Sequence, residues 1–277
     1  MAPTIRSNPD RHSVAAFLGI GTEELAERDR FQQPVARWLA ADGNAVIGLA
    51  TAFVRPDDRL FVTHRIDSEA AFAPLLHAAV DQLRQSVHLS IGRDQADRLE
   101  AARAAGFVVD LEATTYNVPF RPALARTADH QSTRIELVQA DQVPPDDLFD
   151  LDVRLRRDVP GDDGWRGNRL WFDDELNAPE FDPAAYVVAV DRSGGGLVGL
   201  CRFWRNADGP ALGLVGVLPG HRSGRPAVAL VHRAMTAASR WGWAGFRTHT
   251  ARVSLQRKLM AIGATETGGF LRLRRDG

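Results

Sequence analysis

One order of elements occurs twice along this chain, and that repetition limits the folds open to it more than any other feature. In the first half "AVIGLATAFVR" and "RLFVTHRI" read as strands, "EAAFAPLLHAAVDQL" as a helix, "VHLSI" as a strand, "QADRLEAARAAG" as a helix and "FVVDLEATTYNV" as a strand. In the second half "AAYVVAVDRSGGGLVGLCRFWR" reads as strands around a glycine-rich turn. The strand "PALGLVGVLP", a helix, the strand "AGFRTHT", the helix "VSLQRKLMAIG" and the strand "GGFLRLRR" follow. In the helix over 227–241, Ala227, Leu230, Val231, Ala234, Met235, Ala238 and Trp241 recur at helical spacing, with His232, Arg233, Thr236 and Arg240 opposite. The last helix of each half runs into a glycine, Gly106 or Gly263, which fits a left-handed C-cap. The halves share order rather than residues, which reads as an internal duplication. The expected class is α+β, with two tandem domains, each a mixed sheet flanked by helices.

The stretch from Phe120 to Thr133 carries Pro, Ala, Asp, His and Ser without periodicity and reads as a linker. It predicts domains over 1–125 and 133–277, each of ordinary size.

Composition narrows the function classes. A net charge of -1 gives no global electrostatic case for nucleic acid or an anionic membrane. The single cysteine, Cys201, follows an apolar run and is expected as a buried strand residue. It cannot form a disulfide within one chain or a cysteine-based zinc site. The histidines show no metal-ligand spacing, so no metal is expected. No apolar stretch of about 20 residues and no signal peptide is seen, and the expectation is a cytoplasmic protein. No Gly-x-Ser-x-Gly elbow and no full Gly-x-Gly-x-x-Gly fingerprint occurs.

The segment "VGVLPGHRSGRPAVALVHRAM", Val215 to Met235, is a strand, a turn rich in Arg and Gly, and a helix. A strand that turns into a helix exposes unpaired N–H groups at the positive end of the helix dipole, an arrangement suited to an anion. Arginine adds a bidentate fork, and Pro226 sits near the first helical position, where its missing N–H is tolerated. This segment resembles the acyl-CoA-binding motif of the GCN5-related N-acetyltransferases (GNAT): Val217, Pro219, Arg222, Ala227, Ala229 and Leu230 match. "RVSLQRKLMAIGA" is similar to the family's closing segment, so the resemblance covers roughly 133–277. The first half resembles the fold by element order alone, and the whole is similar in plan to mycothiol synthase-like tandem proteins.

The resemblance implies two tandem GNAT-like domains, acetyl-CoA as cosubstrate and a small-molecule amine as acceptor. Backbone groups of the strand carrying Val215 and Val217 would anchor the pantetheine arm and polarise the thioester. Arg222, Ser223, Gly224, Arg225 and Ala227 would hold the pyrophosphate, and Arg252 stands where the family often has an asparagine. Three departures matter, Arg252 among them. Arg225 replaces a loop glycine, and Leu259 replaces the tyrosine that often protonates the leaving thiolate. In the first half the equivalent turn, "THRIDSEAAFAPLL", has no glycine, and Asp67 and Glu69 would repel a pyrophosphate. That half is therefore expected to be degenerate.

Between Asp146 and Asp182 there are 12 acids against 5 arginines, a cover suited to a cationic amine. Asp158, Asp163 and Trp165, around the Pro160-Gly161 turn, are its candidate acceptor-binding residues. The alternative is a solvated charged loop. His249 is the candidate general base, with a strand or surface histidine as the alternative. His221 is read as packing or touching phosphate. A non-catalytic acyl-CoA sensor is the rival to an N-acetyltransferase, and another acyl-CoA reaction is a third reading. A homodimer is compatible with the sequence.

Overall fold

A computed structural model describes residues 3–128, 134–206, 209–222 and 225–277. Ser223 and Gly224 lie outside the described residues, as does the end of the expected linker, 129–133. The chain divides into two compact units, one of residues 1–112 with 270–277, the other of residues 113–269.

The first unit holds β1 (Thr4–Ser7), α1 (Arg11–Leu18), α2 (Thr22–Gln32), β2 (Pro34–Asp42), β3 (Ala45–Val54), β4 (Leu60–Ile66), α3 (Phe72–Gln82), β5 (Val87–Gly92) and α4 (Ala96–Ala104). It also takes the start of β6 (Val108–Pro119) and the end of β12 (Thr265–Arg275). Its strands run in the order β1-β2-β3-β4-β5-β12, parallel between β4 and β5 and otherwise antiparallel. Strand alternation sends Trp38 and Ala40 to the face covered by α3 and α4, and Leu39 to the face covered by α1 and α2.

The second unit holds α5 (Phe120–Thr127), β7 (Ile135–Gln139), α6 (Pro145–Arg156), α7 (Arg169–Asn177), β8 (Tyr186–Asp191), β9 (Leu197–Asn206), β10 (Gly209–Val217), α8 (Arg225–Ala238), β11 (Trp243–His249) and α9 (Val253–Ala261). Its sheet order is β6-β11-β10-β9-β8-β7, parallel between β10 and β11. Val187, Ala189, Cys201 and Phe203 meet α8 on one face. Tyr186, Val188 and Leu200 meet α6 and Phe172 of α7 on the other. Cys201 is fully buried, and burial pushes its thiol up.

The units do not divide at the expected linker. Phe120–Thr127 is helical, and Phe120 and Ala123 are buried in the core of the second unit. The Phe120 N–H donates to the Gly242 carbonyl at 2.9 Å. The closing strands are exchanged. Residues 113–119 of β6 pair with β11, and Phe270–Arg275 of β12 pair with β5. The duplication is visible in the caps, since Gly106 (φ 87°) and Gly263 (φ 88°) end equivalent helices in the left-handed conformation that only glycine adopts without strain.

Candidate functional site

The site in the second unit begins with a break in pairing. β9 pairs with β10 from Gly209 to Val217, while among the described residues β10 and β11 are in register at Ala211 and Gly245 alone. The parallel strands part beyond that pair. A bulge between Leu212 and Leu214 interrupts β10 at the same level, which re-aims its backbone groups. The Val217 carbonyl accepts from Arg222 Nε at 2.9 Å, while the Leu218 N–H turns to Val198 O at 2.8 Å. The backbone of Val217 therefore faces the open edge, and so, by the two-residue period of a strand, does that of Val215. Their side chains point into the core.

The loop after β10 makes a 3-10 turn at Pro219–His221, and α8 starts at Arg225. Pro226 is in its first turn and buried. Ala227 is half-buried against the core, and Arg225 is exposed. Arg222 forms an ion pair with Asp158. Arg252, at the start of α9, donates through Nη2 to the Asp158 carbonyl at 3.1 Å. Two residues expected on the cofactor thus converge on one expected at the acceptor.

The other expected acceptor residues are placed differently. Asp163 is exposed. The Trp165 ring is covered by Arg156, whose guanidinium carbon is 5.0 Å from the ring centroid, so that face is closed to a cationic ligand. His221 Nε2 stands 3.9 Å from Asp191, whose carboxyl is held below its usual range by hydrogen bonds from Ser193.

His249 ends β11, and its Nδ1 accepts from the Ala251 N–H at 3.0 Å. A neutral imidazole with Nδ1 so occupied carries its proton on Nε2. As placed, His249 is a donor rather than the general base expected of it. Leu259 is buried in the core and offers no proton.

A buried polar cluster was not foreseen. Arg202 on β9 is 1% exposed and reaches Asp152 of α6 at 3.3 Å and Glu175 of α7 at 3.2 Å. Asp152 also accepts from Arg156 Nε at 2.8 Å. The Arg202 guanidinium lies 5.0 Å from the Trp204 ring and 5.7 Å from the Tyr186 ring. A Cβ on Gly213, inside the bulge, would fall 2.2 Å from Trp204 Nε1 and 3.1 Å from Arg202 Nε. The cluster therefore backs the bulge itself. The signal in the sequence was an arginine between Cys201 and Phe203, a charge inside the apolar run from Leu197 to Trp204.

The first unit keeps the parted strands without the cradle. β4 and β5 pair at Leu60–Val87 and Phe61–His88 only. Beyond them His64 is held by Phe72 at 4.9 Å between ring centroids, and burial, with Arg98 nearby, pushes its pKa down to about 4. Glu69 is taken by Arg98. Among the described residues no group of three or more His, Cys, Asp or Glu is placed to hold a metal ion, and no helix is long and apolar enough to cross a membrane.

No protein-family model and no curated protein matches the chain. Solved structures match it over nearly its whole length. A GCN5-related N-acetyltransferase from Sphaerobacter thermophilus is 12% identical, with a TM-score of 0.65, covering 98% of this chain and 95% of its own. A putative acetyltransferase from Pyrococcus horikoshii is 10% identical, with a TM-score of 0.62, covering 100% and 90%. The chain has the fold of the GCN5-related N-acetyltransferases. Its particular form is the tandem one: a tandem GNAT protein from the clavulanic acid biosynthesis pathway is 13% identical, with a TM-score of 0.67, covering 99% of this chain and 98% of its own.

Proposed function

We propose that the protein is an acyl-CoA-dependent N-acetyltransferase that moves an acetyl group from acetyl-CoA to the primary amine of a small cationic molecule. The observation that carries this reading is the parting of β10 and β11 beside a bulge, directly upstream of an arginine-bearing turn and a 14-residue helix. The residues present fit acetyl-CoA. The backbone of Val215 and Val217 is turned to the open edge, and Arg222 already accommodates the oxygens of an anion, those of Asp158.

The amine nitrogen attacks the thioester carbonyl carbon. The carbonyl oxygen gathers negative charge and is stabilised by N–H groups at the open edge of β10. The C–S bond then breaks, the sulfur leaves as thiolate, and the new amide nitrogen loses its proton to solvent. Positioning supplies most of the rate, because an amine and a thioester need little acid help. Solvent protonates the thiolate, whose modest basicity needs no side-chain acid in place of Leu259. Glu175, half-exposed and flanked by Trp204 through Arg202, supports a cationic acceptor better than the exposed Asp163 does.

Calorimetry with acetyl-CoA tests the reading. Saturable binding that weakens about tenfold in Arg222→Ala is expected, and no binding at millimolar acetyl-CoA would sink it. CoA release with aminoglycosides, polyamines, amino acids and peptide N-termini then separates an enzyme from a sensor. The buried Leu259 favours the sensor, and binding without any turnover would establish it.

A further inference from the structure

We propose that Asp158 competes with the acyl-CoA pyrophosphate for Arg222, and so ties occupancy of the cradle to the position of the acceptor-side loop. The proposal rests on the reading of 218–225 as an acyl-CoA cradle. Arg222 is fixed at one edge by its bond to the Val217 carbonyl, 2.9 Å long, which leaves the Nη2 side for an anion. Asp158 takes that side. One guanidinium cannot give the same edge to a carboxylate and to a diphosphate, and two anions at that distance repel. Both side chains are 49% exposed, so an incoming anion can reach the pair, and an exposed pair exchanges at little cost.

The consequence extends beyond the cradle because of what residue 158 is attached to. It lies just after α6, at the start of the stretch 157–168 that leads into α7. Arg252 holds its carbonyl at 3.1 Å, so its main chain and its side chain are both tied to the cradle side. Its neighbour Arg157 donates through Nε to the Trp165 carbonyl at 2.8 Å, and Arg156 covers the Trp165 ring. When Asp158 leaves Arg222, residue 158 keeps its main-chain tie to Arg252 and loses its side-chain tie, so the loop that carries Asp163 and Trp165 loosens at its start. Asp158 is then a positioning residue for the acceptor side rather than a ligand of the amine.

Calorimetry with acetyl-CoA on the full chain tests this in Asp158→Asn, Arg222→Ala and the double variant, with hydrogen exchange followed over 157–168. Asp158→Asn is expected to bind acetyl-CoA about fivefold more tightly, the scale of one exposed ion pair. That gain disappears when Arg222 is also Ala. Acetyl-CoA raises deuterium uptake over 157–168 in the parent protein, and in Asp158→Asn the uptake is high from the start. A residue serving only structure would weaken binding when changed. Equal or weaker binding by Asp158→Asn overturns the competition, and uptake indifferent to acetyl-CoA overturns the link to the loop. Failure of the parent protein to bind acetyl-CoA overturns the cradle reading, and the proposal falls with it.

Discussion

Arg202 of β9 and Asp152 of α6 stand 3.3 Å apart with 1% and 5% of their side chains exposed, behind the bulge of β10. A pair removed this far from water is held by geometry, because losing Asp152 leaves the buried Arg202 with only the half-exposed Glu175 as counter-charge. Asp152→Ala is expected to lower stability by about 3–5 kcal/mol in urea unfolding. Replacing both members, as Asp152→Leu with Arg202→Met, is expected to recover most of that loss. A double variant as unstable as the single one would show that the pair is not the cause.

Gly213 is required by space rather than by conformation. The 2.2 Å between an added Cβ and Trp204 Nε1 is far inside contact distance. Gly213→Ala is expected to lower stability by about 1–3 kcal/mol and to weaken acetyl-CoA binding. Adding Trp204→Ala opens the space and restores binding, which paired calorimetry and thermal melts would check.

His64 makes the first unit sensitive to acid. Its folded pKa, about 4, lies below the ordinary histidine value of 6.5. Between those values the unfolded chain binds a proton that the folded chain refuses. Stability therefore rises with pH through that window, is complete above about 6.5, and is lost as pH falls. The expected loss is up to about 3 kcal/mol. His88 is also lowered, chiefly by burial, and acts in the same direction. The effect is thus isolated by comparing urea midpoints of the parent and His64→Leu from pH 4.5 to 7, where the variant should show the flatter profile.

Leu273 lies near the C-terminus yet is fully buried in the core of the first unit. Leu273→Ala is expected to cost about 2–5 kcal/mol, with amide protection lost over Val87–Gly92, the strand that β12 pairs with. Loss of protection confined to the second unit would contradict the pairing.

Local pattern made much of this fold legible. The order of elements, the Gly106 and Gly263 caps, the apolar face of α8 and the buried Cys201 all follow from periodicity and backbone chemistry. The linker was misread because helix α5 is short and polar on one side, which leaves little periodic signal. The strand exchange was not legible, since β6 and β12 have the same local pattern whichever sheet they join. Asp158 was read as facing an amine because sequence shows its charge and not its partner. Arg202 was missed because its counter-charges come from α6 and α7, 50 and 27 residues upstream.

The exchanged strands also set an order of events during synthesis. The first unit contains the first 112 residues, yet its sheet is completed by Phe270–Arg275. While the chain is being made, that edge of β5 must wait until residues 270–275 have been translated. The first unit therefore closes only after the second has been translated, and in the interval it presents an unpaired strand edge of the kind that chaperones shield.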